Sequence, residues 1–278
     1  MTRLVVKDII HIEKQIQAYE GIFRAQTGQT MAEIAKLAAG LEKPEKDRKT
    51  AVVTITQGQG VIPGFAESLR AILRYSGIQA DVMPRTDIGG MQDAFYGGYE
   101  ILFAADDDVY SAFSLHGEKA FSDNGEATGR GFAAALAQAM KTRGISPDQK
   151  VLILGAGPVG RSAAAYILEQ GGKPYFCDTD PAREEAAVHS LPGTAGLGGE
   201  TDKKEFQYMI DATTAGNIIT AADVTADTII AAPGMPLGVT GEACSIATVI
   251  HNPLELGTLT MYYSVLKQVQ TVRTAEQK

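Results

Sequence analysis

The chain has 278 residues, 45% hydrophobic and 21% charged, which is enough apolar material for about two domains of ordinary size. With 25 Lys and Arg against 33 Asp and Glu, its net charge of −8 argues against a nucleic-acid partner, because phosphate backbones require clustered cations. No apolar run reaches the roughly 18–20 residues that span a bilayer. The N-terminus MTRLVVKDIIHIEKQIQ lacks a signal peptide's apolar core and small-residue cleavage site, so a cytoplasmic protein without membrane contact is expected.

Ile9, Ile12, Ile16, Tyr19 and Phe23 recur at helical spacing and predict an amphipathic helix that stops at Thr27-Gly28. Met31, Ile34, Leu37 or Ala38, and Leu41 mark a second helix, and EKPEKDRK is a charged surface connection. TAVVTIT then reads as a strand ending in the loop Gln57-Gly58-Gln59-Gly60, followed by a helix through Phe65, Leu69 and Leu73. Residues 79–83 and 100–105 predict two more strands, with a helix over 91–97 between them, and strands that alternate with helices pair in parallel. The triplet Asp106-Asp107-Asp108 follows, and 109–115 reads as a helix capped by one of these aspartates. His116 and Lys119 are placed at an exposed helix end, with substrate contact as the alternative. An alanine-rich helix over 131–142 leads to a linker at 143–147. The expected α/β architecture is therefore a helical N-terminal domain with a small three-stranded parallel sheet (1–146), followed by a Rossmann domain (147–278).

The second half carries the stronger signal. Lys150-Val-Leu-Ile-Leu154 is a buried strand, and Gly155-Ala-Gly157-Pro158-Val159-Gly160 follows it at the opening of a helix. Gly155 permits the tight turn, Gly157 lets the backbone approach a pyrophosphate, and Gly160 lets helix and strand pack closely. Pro158 suits an early helical position, and the helix N-terminus offers free N–H groups to phosphates. Asp178 ends the next strand, 23 positions beyond Gly155, where it can accept from both adenosine ribose hydroxyls and repel a 2′-phosphate. NAD is the expected cofactor; FAD and a glycine-rich turn without cofactor are the alternatives. Further strands are read at 207–210, 228–232 and 248–250, and a long helix from about 257. Thr213, Pro233 and Gly234 lie in loops at strand ends, where a nicotinamide would sit. Cys177 and Cys244 are expected to be buried thiols, and His11, His116, His189 and His251 form no metal-ligand spacing, so no metal is expected.

Outside the glycine motif, a specific series appears in order: Arg3-Leu4 and Lys7-Asp8-Ile9; Thr56 through Gly60, Val61 and Ile62, with Phe65; Ala105-Asp106-Asp107; and Thr128-Gly129. Pro233-Gly-Met-Pro236, Asn252-Pro-Leu254, Gly257-Thr258 and Met261-Tyr262 complete it. On these residues the sequence resembles the pyrrolysine synthase family, from Leu4 to about Leu266. The resemblance implies NAD-dependent oxidation of the terminal amine of a lysine bearing 3-methylornithine on its ε-nitrogen, then ring closure with loss of ammonia. It implies a substrate site between the domains, lined by Leu4, Ile62, Phe65, Asp106 and Asn124. This chain departs from the family pattern at Gln57 and Gln59, which are bulkier, and at Asn252, where a glutamate is expected.

An alkylammonium with a pKa near 10 must lose a proton before hydride can leave its carbon. Asp106 is the catalytic candidate, holding the cation and accepting its proton, with capping as the competing reading. The N-terminal helix, placed before any strand, could close over such a pocket and exclude water. The expected partner is a small diamine substrate, and a homodimer is left open. Two rivals stand beside this reading: a hydroxy-acid or shikimate-type dehydrogenase, and a non-catalytic NAD sensor.

Overall fold

The computed structural model describes residues 4–41, 48–59, 61–199 and 201–276, with side chains to Thr271. Arg3, Gly60 and most of the charged connection lie outside the described residues.

The first amphipathic stretch forms two helices, α1 (Val6–Ile9) and α2 (Ile12–Thr27), separated by a break before Ile12. Gly28 ends α2 with φ 75°, a left-handed conformation that glycine adopts without strain. Helix α3 (Met31–Ala38) starts with a capping box in which Thr30 and Glu33 bond each other's backbone. Then come β1 (Thr50–Thr54), α4 (Phe65–Tyr75), β2 (Ala80–Val82), α5 (Asp87–Tyr96) and β3 (Ile101–Ala105). The three strands pair in parallel in the order β2-β1-β3, as their alternation with helices predicts.

The small sheet is larger than expected. Residues 109–115 are not a helix: β4 (Tyr110–Ser114) and β5 (Phe121–Asp123) extend the sheet in antiparallel fashion to β2-β1-β3-β4-β5. The reason is local. Asp106 Oδ1 accepts from the N–H groups of Asp108 (2.9 Å) and Val109 (2.7 Å), and Asp106 N–H donates to Val109 O (2.9 Å). That folds 106–109 into a hairpin turn rather than a helix start. His116 and Lys119 accordingly lie in the next hairpin connection, not at a helix end.

Helix α6 (Asn124–Thr142) begins seven residues earlier than its alanine pattern suggests, because Asp123 caps it through N–H bonds from Gly125 and Glu126. The second sheet comprises β6 (Lys150–Leu154), β7 (Lys173–Cys177), β8 (Ala195–Gly196), β9 (Tyr208–Asp211), β10 (Ile229–Ala231) and β11 (Thr248–Ile250). All six run parallel in the order β11-β10-β9-β6-β7-β8, which is the doubly wound Rossmann order. Helices α7 (Pro158–Glu169), α8 (Pro181–Ser190) and α9 (Gly241–Cys244) connect them, and α10 (Glu255–Glu276) ends the chain. Cys177 is half-buried and Cys244 exposed, so the burial expected of both thiols is not observed, and they form no disulfide with each other.

Helix α6 lies between the sheets, packing on α7 and β10 on one side and on α10 and β5 on the other. Its small residues make this possible. A Cβ on Gly129 would come within 2.2 Å of Val159 O, and one on Gly131 within 2.6 Å of Thr260 Oγ1. One continuous core, including Phe23, Phe132, Tyr262 and Phe176, runs through the helices and both sheets.

Gly129→Val should therefore destabilise the fold by about 1–3 kcal/mol, because the clash is with rigid backbone. Gly21→Ala, where a Cβ meets nothing within 4 Å inside α2, should be stabilising by about 0.5–1 kcal/mol. Urea unfolding midpoints check both, and a neutral Gly129→Val would disprove the tight α6–α7 contact.

Candidate active site between the two sheets

A cavity of about 1120 Å³ lies at the carboxyl ends of β1, β3, β6 and β9. That exceeds the usual size for one drug-sized ligand and leaves room for a dinucleotide with a second small molecule beside it.

Four helices begin at its rim: α4, whose N-cap Gly64 offers no side-chain bond, and the three helices α6, α7 and α10, whose first turns differ. Asp123 satisfies the start of α6. Asn252 Oδ1 accepts from Leu256 N–H (3.0 Å) and Glu255 Oε2 from Leu254 N–H (3.2 Å) at the start of α10. Helix α7 alone among the three has no side-chain cap: its N-cap is Gly157, with Pro158 following. A Cβ on Gly157 would meet nothing within 4 Å, because the position opens on the cavity. Free N–H groups and a positive dipole end at an open cradle fit a pyrophosphate.

The other motif glycines have the expected roles. Gly155 turns with φ 91°, and a Cβ on Gly160 would lie 1.9 Å from Gly155 O, so Gly160 serves helix–strand packing and does not line the cavity. Pro158 and Val159 do line it. Asp178 also lines it, 7% exposed, and is fixed on two sides: Oδ2 accepts from Ala156 N–H (2.7 Å) and Oδ1 from Asp180 N–H (2.9 Å). This ties the acidic strand end directly to the glycine loop. Arg183 and Lys203, which line the same end, are the only cations on the cavity wall among the described residues.

At the nicotinamide end, Thr213, Pro233 and Gly234 all line the cavity. Thr213 donates both its N–H (3.1 Å) and its hydroxyl (2.8 Å) to Asp211 Oδ1. Gly234 N–H donates to Asp211 O (3.1 Å), and a Cβ there would fall 2.3 Å from Thr213 O. Asp211 organises both loops from below. It is fully buried, and desolvation raises its pKa above the usual carboxylate range.

On the opposite wall, Leu4, Ile62, Phe65, Asp106 and Asn124 all line the cavity. Phe65 packs edge-to-face on Tyr110, with centroids 5.5 Å apart, and Tyr110 hydroxyl lies 2.9 Å from Thr258 Oγ1. Asn124 Oδ1 accepts from the Thr128 hydroxyl (3.1 Å). Asp106 is exposed toward the opening, and the Val109 and Asp108 N–H groups hold its carboxyl below the usual range.

Sequence reasoning missed the anchors of the glycine-containing loop. Asp107 accepts from Gln59 N–H, and a Cβ on Gly58 would collide with its carboxylate. At the other end, Thr56 donates its N–H and hydroxyl, each at 2.8 Å, to Asp87, a non-glycine residue at φ 52°. An Asp in a left-handed conformation leaves no periodicity signal, although Asp is among the residues that tolerate it. Asn252, which stands where the family pattern has a glutamate, donates from Nδ2 to the Tyr19 hydroxyl (3.2 Å) and lines the cavity. His251 does not: its Nδ1 lies 2.6 Å from Ala232 O, and burial lowers its pKa.

Residues 8–121 match the family described as pyrrolysine biosynthesis protein PylD, N-terminal domain. Pyrrolysine synthase of Methanosarcina acetivorans is 30% identical over 268 residues, covering 96% of this chain and 100% of that one. The chain belongs to the pyrrolysine synthase family. The Methanosarcina barkeri member is likewise 30% identical, over 96% of this chain and 98% of its own. Among solved structures, quinate dehydrogenase from Corynebacterium glutamicum, in complex with NAD, superposes with a TM-score of 0.53 at 12% identity. It covers 82% of this chain and 100% of that chain. A shikimate dehydrogenase in complex with NADP+ gives 0.51 at 14% identity, covering 82% and 94%. At such identities the likeness is one of fold. Like the family's named members, this chain is an enzyme, built on a dehydrogenase scaffold. No helix among the described residues is long and apolar enough to cross a membrane.

Because Gly157 faces open space, Gly157→Val should leave the melting temperature unchanged while weakening NAD binding about tenfold or more, equivalent to about 1.4 kcal/mol. Titration calorimetry with NAD checks this; normal affinity would place the pyrophosphate elsewhere.

Proposed function

We propose that this protein is an NAD-dependent pyrrolysine synthase: it oxidises the terminal amine of a lysine carrying 3-methylornithine on Nε, and the product closes to a pyrroline ring. Residues 1–146 supply the substrate wall and 147–278 the cofactor wall. The observation that carries this reading is the sign of the charge around the cavity. At the substrate end the wall carries Asp106, Asp107, Asp108 and Asp123, and among the described residues no Lys, Arg or His. Hydroxy-acid oxidation needs a cation to hold the substrate carboxylate, and none lines this wall among the described residues. A cationic amine suits it.

When bound, NAD supplies the hydride acceptor. The chain's own residues then have separable roles. Ile62, Phe65 and Tyr110 offer an apolar surface to the methylene chain and exclude water. Asp106 receives the terminal ammonium and directs its proton toward solvent at the cavity mouth. As hydride leaves, the amine carbon becomes an iminium, and a fixed carboxylate stabilises that positive charge. The neighbouring amine then attacks the same carbon, ammonia departs, and the C=N bond of the ring remains. The attack is intramolecular, so proximity supplies most of its rate.

Asp106→Asn should lower kcat by about 10²–10³-fold, the usual loss on removing one such stabilising group. In parent and variant alike the rate should climb with pH as the amine loses its proton to water, and the variant's rise should lie at lower pH, because no carboxylate then favours the ammonium. In the parent enzyme Asp106 stays ionised throughout the mildly acid range, because its carboxyl is held below the ordinary value. NADH absorbance with the dipeptide-like diamine, and with hydroxy acids in parallel, is the test. Turnover of hydroxy acids, or no NADH from the diamine, would overturn the assignment.

A further inference from the structure

We infer that Glu184 is a positioning residue for cofactor selectivity, acting through Asp178. This rests on the reading above, in which Asp178 accepts from the adenosine ribose.

Glu184 lies in α8 and is only 5% exposed. Its carboxylate collects backbone N–H groups from two separate segments. Oε2 accepts from Asp178 (2.9 Å) and more weakly from Gly199 (3.3 Å), and Oε1 accepts from Gly198 (2.7 Å). No Lys or Arg forms an ion pair with it among the described residues, so three amide dipoles neutralise a buried charge. The surroundings are shaped for it. A Cβ on Gly196 would come within 2.5 Å of Oε1, and Gly198 and Gly199 turn with φ of 74° and 84°.

The arrangement forms a chain of fixed contacts. Glu184 holds the Asp178 backbone and the 198–199 turn; Asp178 in turn holds Ala156 in the glycine loop. Asp178, Gly199, Thr201 and Arg183 all face the same end of the cavity. A carboxylate can accept all three N–H groups, whereas a glutamine must turn an N–H₂ donor toward some of them. Releasing this knot would let Asp178 move from the ribose. Both its attraction for the hydroxyls and its repulsion of a 2′-phosphate would fall, leaving Arg183 to favour the phosphate.

The test is calorimetric binding of NAD, NADP and ADP-ribose to full-length Glu184→Gln, Glu184→Asp and Asp178→Ala, with melting temperatures alongside. Glu184→Gln should weaken NAD and ADP-ribose in parallel by about tenfold, on the scale of lost charge-assisted hydrogen bonds. It should also reduce the NAD-over-NADP preference in the direction of Asp178→Ala. Glu184→Asp, which keeps the charge but is shorter, should fall between, and it decides the matter by the same ratio if the glutamine variant does not fold. A lowered melting temperature with an unchanged NAD:NADP ratio would reduce Glu184 to a structural role and overturn the proposal. If Asp178→Ala also leaves the ratio unchanged, the ribose assignment falls with it; if only the Glu184 variants are silent, the positioning proposal alone fails.

Discussion

Everything at the cavity depends on how closely helix α6 approaches its neighbours. Gly129 brings it against the backbone of α7, Gly131 and Thr260 set its distance from α10, and a Cβ on Gly257 would sit 2.6 Å from Thr128 Oγ1. Backbone-to-backbone contact of this kind tolerates little volume change, because protein interiors are close-packed. Its consequence is that α6, α7 and α10 all begin around one space between two sheets. Two of those beginnings are closed by their own side chains, from Asp123 and from Asn252 with Glu255. Only α7 presents unpaired N–H groups, so of the three starts it is the one that can take a diphosphate. Among these three, capping thus singles out one start for an anion before any charged side chain is considered; the fourth start on the cavity, α4 at Gly64, is also uncapped but lies among the apolar Val61, Ile62 and Phe65.

Charged side chains then divide the cavity. The cations Arg183 and Lys203 lie with Asp178 at one end, and four aspartates line the other. Three of these four are also bonded to backbone: Asp106 to its own hairpin turn, Asp107 to the 57–59 loop, and Asp123 to the start of α6. At Asp106 such bonds favour the ionised form. The fold therefore builds a negative wall out of the residues that make its turns, and the same side chains serve structure and electrostatics together.

This double use explains what could be read in the sequence. The glycine motif and Asp178 were legible because each residue has a steric or charge reason that holds locally, and the parallel strands were legible because helices separate them. The helix proposed for 109–115 failed because an aspartate before an apolar run can cap a helix or fold a turn. Tyr110-Ser111-Ala112-Phe113 is better suited to a strand, and pairing with β3 over Ala105↔Tyr110 to Ile101↔Ser114 decided the matter. The early start of α6 was hidden because Asn124-Gly125 looks like a loop until Asp123 is seen to cap it. Glu184 and Asp87 could not have been found at all: their partners lie in loops 14 and 31 residues away, and no spacing rule encodes them. The residues proposed for the substrate wall, by contrast, came from family resemblance, and the fold gathers all five on one cavity.

Two carboxylates, Asp211 and Asp106, have opposite characters. Asp211, fully buried, is pushed toward the neutral form by desolvation; it organises Thr213 and Gly234 without lining the cavity. Asp106 is pulled toward the anion by two N–H groups and faces the opening. An anion of this kind is a poor proton acceptor, since its conjugate acid is far stronger than an ammonium. Its value lies in the charge it keeps. Relative to a bound ammonium it offers no differential stabilisation, because ground state and product are both cations. Relative to the neutral amine, which is the species that can release hydride, it favours the cationic iminium strongly. In the proposed reaction Asp106 would thus accelerate hydride departure only once the proton has gone to water. A carboxylate held ionised by its own turn and exposed to solvent meets both requirements at once.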